Sequence, residues 1–291
     1  MHRLARELLA RRHRGCQDWS GYDRLFPYLS YVYDIRHEYL LNVHDIPDDR
    51  IKWVEENTVC SFLIDPQGDV FYKSWGNNSG SGNTTCDNTS VNEFLGIYAM
   101  VCIDEDTSLD DIANEVNYHI YGDDETHAAS DKYQLLCNEQ FMREFAKKIG
   151  LELKFFRGGE NYPLEQIGFL GYTYREIHGF WIPRFDDDKI LFSLIHTYKT
   201  LKLDQFVSKV YSLVLLSFGT DIFPLCCRFF DDLLESVKNS TDPTVKSFVL
   251  RGVPTPSFCF AFYTQCEQSE LDSLVQDIFG SSCLSGIKIL C

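Results

Sequence analysis

Residues 115–128, EVNYHIYGDDETHA, constrain this chain more than any other stretch. An apolar, β-leaning run (116–121) leads into Gly122, whose backbone freedom suits a tight turn, and 125–129 reads as the return strand. The hairpin carries two adjacent carboxylates, Asp123 and Asp124, at its tip. Neighbours on a regular strand point to opposite faces, so only a turn brings both near one site. Clustered carboxylates repel, and a hard divalent cation turns that repulsion into attraction. An ordinary solvated Gly-Asp-Asp turn accounts for the tetrapeptide equally well.

The 291 residues suffice for one large or two moderate domains, and 44% hydrophobic content supports a substantial core. No apolar stretch reaches the length of a membrane span; VYSLVLLSF (210–218) is the longest candidate. The N-terminus lacks the apolar region of a signal peptide. The eleven cysteines form no CxxC pair, and adjacent Cys226 and Cys227 suit neither a local disulfide nor a tetrahedral metal site. They are expected to be reduced, mostly buried thiols of a cytosolic protein. The Asn-x-Ser/Thr sequons at Asn77, Asn83, Asn88 and Asn239 then carry no glycan. A net charge of -16 argues, by itself, against a nucleic-acid partner, although the first fourteen residues hold five arginines against one glutamate.

Helical patterns are expected over 2–14, 27–41, about 84–101, 109–115 and 131–149, the last with Asp131 as a possible N-cap and Gly150 at its end. Strands are expected at 15–19, 59–64, 70–75 and 151–156, and a hairpin from 167–174 and 179–183. Beyond Asp186 the patterns are helical: 189–202, 204–218 and 221–238. The expected fold is α+β, with an antiparallel sheet packed on helices over 1–186, a short insertion around 45–75, and a mainly helical domain over 187–291.

Two further stretches bear on the tip aspartates. QDWSGYDRLF (17–26) sets Asp18 at the end of a short strand and Asp23 five residues later. SGSGNTTCDN (79–88) is a flexible loop running into a helix that carries Thr84 and Asn88 one turn apart on one face. Alone, each also reads as a solvated loop or a capped helix start. Together, Asp-x4-Asp, Ser-Gly-x3-Thr-x3-Asn and Tyr-Gly-Asp-Asp, at intervals of about 60 and 35 residues, resemble the motif series of viral RNA-dependent RNA polymerases. The resemblance is to positive-strand viruses of the picornavirus and astrovirus kind. FAKKIGLEL (145–153) and GFLGY (168–172) extend it, so it spans residues 15–174.

The resemblance implies a polymerase palm over 1–186 with a short fingers-type insertion, then a thumb, and template-directed nucleotidyl transfer from NTPs to an RNA 3′-hydroxyl. It implies two Mg²⁺ ions, with Mn²⁺ able to substitute, held by Asp18, Asp123 and Asp124 and the Trp19 carbonyl. Asp23 and Asn88 are assigned to the ribose 2′-hydroxyl, and Ser79, Gly80 and Thr84 to the nucleotide pocket and template path. Lys147, with Lys148 as fallback, is the candidate general acid, and Phe169 and Leu170 support the primer strand. The implied partners are RNA template, primer or product strand, NTPs, and a fingers region supplied by the same polyprotein. The implied setting is the host cytoplasm, in a membrane-associated replication complex. Only seventeen residues precede Asp18, so the basic fingers motif is missing and the chain alone is expected to be inefficient. The alternatives are a reverse transcriptase, which shares the aspartates but excludes the 2′-hydroxyl, and a non-catalytic palm-like scaffold.

Overall fold

The computed structural model describes residues 2–25, 29–44, 46–58, 60–73, 76–77, 82–196 and 200–264. The chain divides into two compact units, Glu7–Pro163 and Met1–Arg6 with Leu164–Cys291.

The chain opens with α1 (His2–Leu9), β1 (His13–Trp19), α2 (Tyr22–Leu25), α3 (Leu29–His44) and α4 (Asp48–Thr58). The β2 (Ser61–Ile64) and β3 (Val70–Lys73) hairpin, α5 (Thr84–Ile103) and α6 (Leu109–Asn114) follow. Then come β4 (Val116–Tyr121), β5 (Asp124–Ala129), a 3-10 helix (Asp131–Cys137), α7 (Glu139–Lys148) and β6 (Leu153–Glu160). Strands β4, β5, β1 and β6 form one sheet in that order, with β1 antiparallel to both neighbours. Its core joins Trp19 and Tyr22 to Val91, Leu95 and Met100 of α5 and to Met142 and Phe145 of α7. Helix α5 is tied to α3 by a part-buried ion pair: Asp87, fully enclosed, accepts from the Arg36 guanidinium and, at 3.2 Å, from the Tyr33 hydroxyl. Enclosing a carboxylate this completely is tolerable only with such partners.

Several sequence expectations need correction: the 2–14 helix stops at Leu9 because His13 and Arg14 pair in β1, and the 189–202 helix stops at Ile195. Residues 131–149 are not one helix. Asn138 is extended (φ -108°, ψ 119°) and its side chain accepts from the Phe141 N–H, which ends the 3-10 helix and caps α7. Ser130, not Asp131, stands at the N-cap position, and the Asp131 carboxylate meets His13 Nε2 at 2.8 Å. Nor are the thiols mostly buried: among the described residues Cys16, Cys137, Cys226 and Cys259 are buried, Cys86 and Cys102 exposed, and Cys60 and Cys227 intermediate, all free.

The other unit contains the β7 (Tyr172–Ile177) and β8 (Phe180–Phe185) hairpin, with helices α8 (Asp187–Ile195), α9 (Leu203–Ser217), α10 (Phe223–Ser236), α11 (Pro243–Arg251) and α12 (Pro256–Thr264). Ile182 of β8 is buried with Val207, Val214, Phe230, Val245 and Phe260 from the helices. The division by packing therefore falls at 163/164, whereas the change in sequence character falls at 186/187, because the hairpin packs with the helices that follow it.

Candidate active site

Asp18 is the penultimate residue of the central strand. The β1–β5 ladder runs from His13↔Ala129 to Gln17↔Glu125, and one more step in the same register sets Asp18 across from Asp124. Strands β4 and β5 close at Tyr121↔Asp124, leaving Gly122 and Asp123 as a two-residue turn. Gly122 has φ 68° while Asp123 does not enter the positive region, the pattern of a II′ hairpin turn, which matches the right-handed twist of strands. Adjacent strands lie about 4.8 Å apart, so Asp18 and the tip aspartates share one end of the sheet.

Their charges are coupled. The Asp123 carboxyl titrates above the ordinary aspartate value, chiefly from desolvation, with the negative charges of Asp18 and Asp23 adding to it. A backbone hydrogen bond at the turn and the Lys154 cation oppose the rise. Lys154 Nζ donates to Asp18 Oδ2 at 2.7 Å. It arrives there through an irregularity: Asp18 pairs with Phe155 but Trp19 with Leu153, so β6 carries one extra residue, Lys154, at this point. Bulges of this kind re-aim side chains.

A second group assembles beside the first. Asn88 Nδ2 donates to Asp23 Oδ1 at 2.6 Å, and the buried Tyr22 hydroxyl donates to the Asn88 carbonyl at 3.1 Å. Asn77, which the sequence marked only as a sequon, completes it. Its N–H donates to the Asp23 carbonyl (2.7 Å), and its Nδ2 to Asn88 Oδ1 (2.9 Å) and the Thr84 carbonyl (3.3 Å). Residue type alone did not mark Asn77 within its Gly/Ser/Asn loop.

The remaining expected residues fall as follows. Thr84 opens α5, one turn before Asn88. Ser79 and Gly80 lie outside the described residues. Lys147 and Lys148 are exposed in the last turn of α7, where Lys147 lines a shallow depression with Glu139, Gln140, Arg143 and Glu144. In the other unit, Phe169 and Tyr172 exchange two backbone hydrogen bonds around Leu170 (φ 51°) and Gly171 (φ 77°), which puts Leu170 at the tip of a tight turn. Among the described residues, no group of three or more His, Cys, Asp or Glu side chains is gathered closely enough to hold a metal ion.

The sheet thus carries aspartates at adjacent strand ends and an Asp–Asn pair at its flank. The sequence family described as viral RNA-dependent RNA polymerase matches residues 1–240, and the chain belongs to that family. The non-structural polyprotein 1AB of Ovine astrovirus 1 is 28% identical over 114 residues, covering 37% of this chain and 8% of the polyprotein. The genome polyprotein of Bean common mosaic necrosis virus (strain NL-3) is 24% identical over 200 residues, covering 66% of this chain and 6% of its own length. Among solved structures, the RNA-dependent RNA polymerase of a sicinivirus superposes with a TM-score of 0.57 at 18% identity, covering 82% of this chain and 50% of that one. That of a human picobirnavirus gives 0.62 at 13% identity, covering 97% and 53%. These likenesses fix the fold as α+β and polymerase-like; the chain spans about half of those polymerases and under a tenth of the polyproteins.

Proposed function

We propose that this chain is the palm and thumb portion of an enzyme that synthesises RNA on an RNA template during viral genome replication. The observation that carries the reading is the strand register that sets Asp18 beside the Asp123–Asp124 turn at one end of the sheet, with Asn88 hydrogen-bonded to Asp23. In this reading Asp18, Asp123 and Asp124, with the Trp19 carbonyl, would hold divalent cations. The donors fit: they are hard oxygens, their charges repel, and a lysine ammonium already rests on Asp18. Mg²⁺ commonly takes only one or two carboxylates and completes its shell with substrate phosphates and water. When bound, the ions would supply charge neutralisation at the attacking and leaving oxygens.

The protein's own contribution is positioning. Asp23 and Asn88 offer an acceptor and an amide to a ribose 2′-hydroxyl, a group that both donates and accepts. Thr84, with Ser79 and Gly80, would line the nucleotide pocket, Phe169 and Leu170 would support the primer, and Lys147 or Lys154 would deliver a proton to pyrophosphate. The β2–β3 hairpin leaves Phe62, Ile64, Val70 and Tyr72 exposed, an apolar surface that the rest of the polymerase would cover. The setting we propose is a membrane-associated replication complex in the host cytoplasm.

The test is primer extension on an RNA template by the polymerase that contains this chain. The reading expects Mg²⁺-dependent incorporation of ribonucleotides over deoxyribonucleotides. Preference for deoxyribonucleotides would turn it into a reverse transcriptase, and absence of any incorporation would leave a scaffold.

A further inference from the structure

We infer that Thr89 and Asn92 of α5 are positioning residues that lock the Asp123 turn to the Asp18 strand, an inference resting on the polymerase reading above. In a two-residue hairpin turn, Gly122 lies outside the strand ladder, so its buried N–H and carbonyl need partners elsewhere. Helix α5 provides both. Gly122 N–H donates to Thr89 Oγ1 at 2.8 Å, and Asn92 Nδ2 donates to the Gly122 carbonyl at 3.4 Å. The Thr89 hydroxyl proton is committed to the Thr85 carbonyl (2.8 Å), so an oxygen lone pair faces the turn. Asn92 Oδ1 in turn accepts from the Trp19 indole N–H at 3.0 Å. Asn92 is fully buried and Trp19 is 3% exposed.

One amide therefore touches the residue after Asp18 and the residue before Asp123. Only a side chain with a donor and an acceptor performs both contacts; Asp would lack the donor and Leu would lack both. Asn88, one turn earlier on the same helix, holds Asp23. A single stretch of α5, anchored by the ion pair of enclosed Asp87 with Arg36, thus sets the sugar-facing pair and the spacing of the two aspartates from one rigid body.

Thr89→Val keeps the side-chain shape and removes the lone pair that receives Gly122. In the parent polymerase, we expect its maximal single-nucleotide incorporation rate to fall ~10- to 100-fold. The NTP KM should stay within about twofold, which marks an interaction used in the transition state. Ribonucleotide preference should match the parent, the melting temperature should fall by no more than a few degrees because one buried N–H loses its acceptor, and amide exchange across 121–125 should speed up ~10-fold. Thr89→Ser should restore rate and exchange. The inference fails if Thr89→Val matches an active parent in rate and exchange. It fails equally if the loss comes with unfolding of the whole enzyme or lost sugar preference, or if serine does not rescue. An inactive parent would overturn the polymerase reading and this inference with it.

Discussion

Lys154 reaches Asp18 because β6 carries one residue too many, whereas Lys147 was named from the resemblance carried by FAKKIGLEL. A bulge depends on how two distant strands pair, which local sequence does not encode. That Asp18, Asp23, Asn88 and the tip aspartates lie near one another was legible only from the three motifs taken together, since each stretch alone also reads as a solvated loop or a capped helix start. Alanine at Lys147 and at Lys154 separates the two candidates: single-nucleotide incorporation should lose more at Lys154, and a larger loss at Lys147 would return the role there. Asn88→Ala should erode ribonucleotide selectivity while leaving incorporation of the correct nucleotide measurable, read out in rNTP/dNTP competition. Unchanged selectivity would sink the sugar assignment. His127 supports a different prediction. Its Nδ1 faces Glu125 Oε1 at 2.8 Å and its Nε2 the Leu136 carbonyl at 3.1 Å. Both partners accept, so both nitrogens must carry protons. Burial alone would lower its pKa, but Cys137 and Glu125 outweigh that and raise it to about 10. Partly buried Tyr118 faces the same ring from β4. With the folded pKa above the unfolded ~6.5, the stabilisation is complete below ~6.5 and is lost as pH rises through about 10. Urea midpoints should fall over that window, and His127→Gln should flatten the fall.

At the scale of elements, the hairpin and α5 were readable from β-leaning composition and helical spacing, whereas boundaries set by packing were not. The 131–149 pattern hid a break because Asn138 caps a new helix within a continuous apolar rhythm. The 167–174 run was read as strand, yet pairing begins at Tyr172, after a turn whose Leu170 takes a conformation that L-residues avoid. Helix α4 went unread inside the expected insertion. Close approach of strands is likewise invisible in sequence. A Cβ on Gly158 would stand 2.8 Å from the Arg14 carbonyl and 3.0 Å from Gly15 Cα. Gly158→Ala should therefore push β6 from β1 and cost about 1–3 kcal/mol, measured by urea unfolding. An alanine variant as stable as the parent would show that this spacing is slack.

For the whole molecule, the net charge of -16 sets the terms of any encounter with RNA. Affinity for nucleic acid grows with the number of phosphates that basic groups neutralise, and its salt dependence grows with it. The 291-residue chain by itself should bind single-stranded RNA weakly, with a shallow salt slope in fluorescence polarisation; tight, steeply salt-dependent binding would mean a basic surface that the sequence does not disclose. The packing boundary at 163/164 was equally hidden, since a β-hairpin gives no local sign of which neighbours it joins. The central claim concerns two carboxylates that act as one site. It is tested most directly by single-turnover nucleotide addition with Asp18→Asn, Asp123→Asn and the double variant in the parent polymerase. Residues that act as a unit are non-additive, so each single variant should fall to the same floor and the double no further. A single variant that keeps the parent rate, or losses that multiply in the double, would contradict the account.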